Sequence, residues 1–333
     1  MATDGSATAP AARRVAAVVY NPVKVDLSAL RAAVADEETR GGYGPTVWFE
    51  TSSQDAGQKA ARDALAADPS VVIVAGGDGT VRAVAGEVHS SGVSLALVPA
   101  GTGNLLARNL RLKLSDLKDS VHTAFAGSER LIDIAFAEFE REDHSTTRHA
   151  FLVMAGIGLD ANMAVNTNSV LKKRVGWLAY THPIAQSVIR NRQLPMRYRI
   201  DGSRVRSIRA HTVIVGNCGT LTANILLLPD AVVDDGLLDV IVLRPKGVGG
   251  WARIGTRLAI GGVLHRSKGG RLILQAAPAF EALQYVQARE LVVRFETAEA
   301  IELDGDSFGD VMAARITILR RSLSVRVPAE HAG

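Results

Sequence analysis

Two glycine-rich segments carry the residue types best suited to chemistry. In VVIVAGGDGT an aliphatic run from Val71 opens directly into Gly76, Gly77, Asp78, Gly79 and Thr80. In LALVPAGTGN a second such run opens into Gly101, Thr102, Gly103 and Asn104, and both segments continue into helical patterns. Glycines at a strand-to-helix turn allow positive φ and close backbone approach, so the amides and the positive helix end can hold phosphate. In an open α/β sheet, ligands bind at the carboxyl ends of the strands, which is where both turns fall. Neither is a Walker A loop, because no G-x-x-x-x-G-K-[ST] occurs. Gly156 to Ala161 fits G-x-G-x-x-A, but no acidic residue follows at about 20 residues, so it reads as a glycine turn.

The elements that must position these turns follow from hydrophobic spacing. Val15 to Tyr20, Thr46 to Glu50, Val71 to Ala75 and Leu95 to Ala100 are expected strands. Asp55 to Leu65 is an alanine-rich helix candidate, and Val81, Val84, Ala85 and Val88 form a helical stripe after Thr80. This alternation predicts βαβ units and a parallel sheet. Beyond Leu131, segments such as LIDIAFAEF, HAFLVMAG, AHTVIVGN, ELVVRFE and ARITILR alternate with period two, which predicts a mainly antiparallel β domain. Helices are expected over Lys172 to Ile189 and Val248 to Leu264.

At 333 residues the chain is long enough for two domains. The expected division is residues 12–130 for an α/β N-terminal domain with a parallel sheet and 131–329 for the β-rich C-terminal domain, whose last strands can return to the first. Hydrophobic residues at 47% and charged residues at 22% exclude a disordered chain. The single cysteine, Cys218, excludes an intrachain disulfide and the common zinc spacings, and points to a reducing, cytoplasmic compartment. The N-terminal residues have no apolar core of a secretory signal, and no stretch has the composition of a spanning helix.

Charge is unevenly placed. Val170 to Arg271 holds 17 Lys and Arg against 5 Asp and Glu, although the whole chain is only +4. Such a basic segment fits a polyanion, either nucleic acid or an anionic membrane surface, or a solvated face. No nucleic-acid-binding motif accompanies it. Lys172, Lys173 and Arg174, followed by Trp177 and Tyr180 around an apolar helical stripe, have the composition of an interfacial segment.

GGDGT with PAGTGN resembles the diacylglycerol kinase catalytic-domain family of soluble bacterial lipid kinases, related to sphingosine kinases and NAD kinases. AGIGLDA at Ala155 to Ala161, LPDAVVDDGLLDV at Leu228 to Val240, ELDGD at Glu302 to Asp306 and the Asn21-Pro22 turn resemble further motifs in the family's order. The resemblance implies an NAD kinase/diacylglycerol kinase-like fold with the active-site cleft between the two domains, ATP as phosphoryl donor, Mg²⁺, and a lipid alcohol as acceptor. The implied substrate is diacylglycerol in an anionic membrane surface, with a sphingoid base or another lipid alcohol as the alternative. A NAD kinase or a nucleotide- or lipid-binding regulator are more remote readings, and a homodimer is allowed.

The same resemblance places Asn21 and Thr51 near the nucleotide, Gly76 to Thr80 around the phosphates, and Gly101, Thr102 and Asn104 in the second phosphate loop. It puts Asp78 and Asp133 in one charge network around the reactive phosphate and metal. A carboxylate beside phosphates is repelled unless a cation intervenes, so Asp78 implies Mg²⁺. The DDG segment reads from its residues as a hairpin turn, and from the resemblance as a structural Mg²⁺ site of Asp235 with the carbonyls of Val232 and Leu237. Phosphoryl transfer to an alcohol needs a carboxylate within reach of the hydroxyl proton, and the candidates are Asp304, Asp306 or Asp78. Several positions depart from the family pattern. Arg82 and Ala83 stand where N-E is usual, Leu105 stands where an Asp is usual, Asp306 replaces a Glu, and Lys24 is displaced from the basic position after the NP turn.

Overall fold

The computed structural model describes residues 14–52, 54–158, 193–219, 228, 230–244 and 283–329. The helices expected over residues 172–189 and 248–264, with the basic residues in them, lie outside the described residues. So do Leu159 to Ala161 of the later glycine turn.

Strands β1 (Ala16–Tyr20), β2 (Val47–Glu50), β3 (Val71–Gly76) and β4 (Ser94–Pro99) form a parallel sheet in the order β2-β1-β3-β4. All residues of β1 and β3 are buried because helices cover both faces. Successive side chains point to opposite faces, so Ala16, Val18, Val71 and Ile73 pack with Leu30 and Val34 of α1 (Leu27–Gly41) and Val121 and Phe125 of α5 (Leu117–Ala126). Ala17, Val19, Val72 and Val74 pack instead with α2 (Gln58–Ala66) and α3 (Asp78–Val88). A short helix, α4 (Leu105–Asn109), follows β4.

The remaining described strands are β5 (Ser128–Glu140), β6 (Thr146–Phe151), β7 (Met154–Ile157), β8 (Leu194–Ile200), β9 (Arg206–Ala210), β10 (Thr212–Gly216), β11 (Leu238–Leu243), β12 (Leu283–Ala288), β13 (Glu290–Leu303) and β14 (Asp306–Val327). They pair antiparallel with one another around a second core that includes Phe139, Ile157, Val215, Val293, Leu303 and Ile316. The architecture is therefore the expected one, an α/β layer followed by a β-rich layer.

β14 joins the two. Its first part pairs with β13, its register shifts between Leu319 and Leu323, and its last part lies parallel to β4 through Val325 and Leu95. The same last part pairs with the start of β5, Val327 opposite Ser128. The sequence-based division at residue 130 thus falls inside β5, whose first residues are bonded to the chain's last strand.

One turn differs from its sequence reading. Asp234 to Gly236 is not a hairpin turn: β10 and β11 are the paired strands there, and the connection between them is long, with the DDG turn only at its end. The D-G hairpin occurs instead at Asp304-Gly305, where both φ values are positive, 49° and 87°, and Leu303 pairs with Asp306. Two consecutive left-handed residues make a two-residue turn that suits the twist of the flanking strands.

Among the described residues no helix is long and apolar enough to cross a membrane. Leu323, fully buried in the core of the α/β layer, lies on the returning part of β14. Leu323→Ala should cost about 2–5 kcal/mol of unfolding free energy, read from urea denaturation, and should destabilise the α/β layer although it lies near the other end of the chain.

Candidate active site

The two glycine turns leave adjacent parallel strands. Val74 and Ala75 of β3 lie beside Leu97 and Val98 of β4, so Gly76 emerges beside Pro99. The turns then nearly touch: a Cβ on Gly101 would stand 2.8 Å from the Cα of Gly77. A Cβ on Gly103 would stand 2.6 Å from Asp78 Oδ2, and one on Gly76 would meet Thr80 Cβ at 2.8 Å. None of these glycines has a positive φ. Of the two reasons for glycine at such turns, close backbone approach applies here and positive φ does not.

Asp78, the first residue of α3, fastens the turns together. Its Oδ2 accepts from the Asn104 amide at 2.9 Å and its Oδ1 from the Leu105 amide at 2.6 Å, so one carboxylate caps the start of α4. Burial raises its pKa, the two amides oppose that, and the nearby Asp306 adds to the rise. Asn104, with φ 47°, closes its own loop by accepting from the Gly101 amide and donating to the Gly101 carbonyl. Thr80 is buried against Gly76, whereas Thr102 is exposed at the second turn.

Asn21 follows β1, donates from its amide to Ala75 O at 2.9 Å, and accepts from the Val23 amide. Thr51 follows β2 and is buried, its amide donating to Tyr20 O and its methyl facing Gly57. The carboxyl ends of four neighbouring strands thus carry Asn21, Thr51, Gly76 to Thr80 and Gly101 to Asn104. Lys24, displaced in the sequence pattern, still reaches this edge: its Nζ stands 2.6 Å from where a Cβ on Gly77 would be.

The three base candidates separate by environment. Asp304 is buried and its carboxylate accepts from the amides of Leu152, Val153 and Met154 at 2.8–3.0 Å. Burial raises its pKa against the pull of those amides and of Arg82. The Asp78 oxygens are likewise engaged by amides. Asp306 is different, since its side chain is 54% exposed and its Oδ2 lies 2.7 Å from the place of a Gly79 Cβ.

Arg82 was not singled out as a site residue by its sequence. It donates from Nη2 to Asp306 Oδ2 at 2.9 Å and from Nη1 to Leu303 O at 2.7 Å, with its guanidinium 4.8 Å from the Phe308 ring centroid. The available signal was its spacing, one helical turn after Asp78 on the same face of α3. Phe308 is also in contact with His149, ring centroids 4.6 Å apart. The pKa of His149 is lowered by burial and then by Arg82 and Arg141.

Asp133 departs from its expected place. It is fully buried, accepts from the amides of Gly236 at 2.6 Å and Arg321 at 2.7 Å, and has Asp235 and Asp234 as its charged neighbours. It belongs with the DDG turn and the β14 register shift, not in the charge network of Asp78. Asp235 accepts from the Leu237 amide, and burial raises its pKa and pushes that of Asp239 up to about 6. Among the described residues no three His, Cys, Asp or Glu groups converge as metal ligands.

Two glycine turns thus stand at the carboxyl ends of a parallel sheet, and the β-rich layer brings a carboxylate to their edge. The chain belongs to the diacylglycerol kinase catalytic-domain family: residues 16–137 match the diacylglycerol kinase catalytic domain and residues 152–325 the YegS C-terminal NAD kinase beta sandwich-like domain. It is similar to the diacylglycerol kinase of Bacillus subtilis, 24% identical over 95% of this chain and 97% of that one. Over 54% of this chain and 57% of the relative, it is 27% identical to a diacylglycerol kinase of Mycobacterium tuberculosis. A crystal structure of a diacylglycerol kinase from Bacillus anthracis has the same fold, with a TM-score of 0.69, 21% identity and coverage of 96% of this chain and 98% of that one.

Asp304→Asn leaves one side-chain acceptor facing three amides, so it should cost about 1–3 kcal/mol for each amide left unpaired, measured by chemical denaturation. His149 supplies a pH signature. Its folded pKa lies below the unfolded value of about 6.5, so the native state binds the proton less readily than the unfolded chain. Its contribution to stability is complete above pH 6.5 and lost as pH falls through the folded pKa. Thermal melts from pH 7 to 5 should show a smaller fall for His149→Gln than for the parent.

Proposed function

We propose that the protein is an ATP-dependent lipid kinase that transfers the γ-phosphoryl group to the hydroxyl of diacylglycerol, giving phosphatidic acid. The observation that carries this reading is the half-exposed Asp306 carboxylate suspended over Gly79, beside two glycine turns locked together by Asp78. The family relation supports phosphoryl transfer, and the names of the relatives support the lipid.

In this reading the amides of Gly77 to Thr80 and of Thr102 and Gly103 face the phosphates, at the positive end of α3. Thr102 and Lys24 add a hydroxyl donor and a cation, and Asn21 and Thr51 border the nucleotide. The hydroxyl oxygen of the lipid bonds to the γ-phosphorus as the bond to the β,γ-bridging oxygen breaks and ADP departs. The hydroxyl proton passes to Asp306. Asp304 and Asp78 are assigned positioning work, because amides occupy their oxygens.

Mg²⁺ would neutralise phosphate charge during transfer. At the DDG turn, Asp235 with the carbonyls of Val232 and Leu237 and water would hold a structural Mg²⁺; a hard cation suits one carboxylate with neutral oxygens, and the acids around Asp235 gain from a cation. The division into residues 12–130 and 131–329, with the cleft between, is part of the same reading. So is a cytoplasmic enzyme that meets its lipid at an anionic membrane surface.

The test is transfer of labelled γ-phosphate from ATP, with Mg²⁺, to diacylglycerol, sphingosine, monoacylglycerol and NAD in anionic mixed micelles. Labelled phosphatidic acid, reduced at least about 10²-fold in Asp306→Ala, is the expected result. Labelling of another lipid keeps the mechanism and changes the acceptor; labelling of NAD alone sinks the lipid reading.

A further inference from the structure

The Arg82 guanidinium grips the β13–β14 hairpin on both sides of its turn. Leu303 and Asp306 are the pair that flanks Asp304-Gly305, and Arg82 donates to the carbonyl of the first and the carboxylate of the second. The arginine is itself held: its side chain is only 11% exposed, and the Phe308 ring lies against it. Phe308 is fixed in turn by His149 and by Arg141, which donates to the Phe308 carbonyl at 2.9 Å. Because Arg82 stands on α3, the helix that begins with the first phosphate turn, it connects that turn to the hairpin without any intervening loop.

We propose that Arg82 is a positioning residue that fixes the Asp306 carboxylate over the start of α3, so that the proton acceptor and the phosphate turn move as one body. An exposed aspartate otherwise samples several staggered rotamers, few of which point at one place. The fork of donors matters here. A lysine would bring the same charge but no second planar donor, so it could not hold the carbonyl and the carboxylate together. This inference rests on the kinase reading above, with Asp306 as proton acceptor.

The experiment is steady-state phosphoryl transfer together with ATP affinity for Arg82→Ala, Arg82→Lys, Asp306→Ala and the Arg82→Ala/Asp306→Ala double variant, each with a thermal melt. A misplaced base predicts that Arg82→Ala lowers kcat about 10- to 100-fold while ATP affinity stays within about 2-fold, and that Arg82→Lys recovers part of the loss. The double variant should be no slower than Asp306→Ala alone, since Arg82 acts through Asp306. If the two losses multiply, or if ATP affinity falls about tenfold in Arg82→Ala, the positioning role is overturned and Arg82 acts on the fold or on phosphate. Should Arg82→Ala fail to fold, Arg82→Lys carries the same comparison against Asp306→Ala. If the unmodified enzyme transfers phosphate to none of the lipids, the kinase reading fails, and this role with it; an active enzyme with multiplying losses overturns this role alone.

Discussion

The Asp78 carboxylate is the constraint on which the arrangement of the two glycine turns depends. It sits at the start of one helix and accepts the first amides of another, so the positive ends of α3 and α4 converge on a single negative group. Burial raises its pKa, and the two amides are what make the charged form tolerable there. The geometry is available only because β3 and β4 are neighbours and because Gly77, Gly101 and Gly103 carry no side chains to keep the turns apart. Strand order, glycine spacing and a single acid therefore act as one condition.

The same device recurs where the β-rich layer meets the first. Asp304 ties the β13–β14 turn to the amides of Leu152 to Met154, and Asp133 ties the DDG turn to the register shift of β14. Each is a buried carboxylate that accepts backbone amides from segments distant in sequence. A loop held this way has an ordered backbone without regular secondary structure, and removing the acid leaves amides without partners. The returning end of β14 then secures the whole, pairing with β4 of the α/β layer and with the start of β5 while its beginning carries Asp306.

Much of this was legible in the sequence, for identifiable reasons. Aliphatic runs opening into glycine turns specify strands whose carboxyl ends carry those turns, and the period-two segments after Leu131 specify the antiparallel layer. What the sequence left open was the assignment of acids to tasks. Asp78, Asp133, Asp304 and Asp306 all lie in or near turn motifs, yet only the positions of distant amides decide which oxygens are occupied. Arg82 escaped notice for a related reason: its partners, Leu303 and Asp306, lie more than two hundred positions later, at |i−j| of 221 and 224, and nothing local marks such a pairing. The DDG turn misled because D-G is a local hairpin signal, whereas strand pairing around it is set by β10 and β11.

Exposure then sorts the acids more sharply than residue type does. A carboxylate can accept a substrate proton only if an oxygen is open and the group can change charge without disrupting the backbone it supports. Asp304 and Asp133 fail both conditions, because protonating either would weaken the amide bonds that hold a turn. So does Asp78, whose two oxygens accept the Asn104 and Leu105 amides. Asp306 meets both: it is half exposed, and its Oδ2 accepts from a side chain, Arg82, not from the backbone. The Asp306 side chain lies close to the α3 backbone, its Oδ2 2.7 Å from where a Cβ on Gly79 would stand, so a larger residue at position 79 would displace this carboxylate. The chemistry assigned to Asp306 thus depends on the same rule as the phosphate turns, that backbone left bare by glycine is where charged groups can come close.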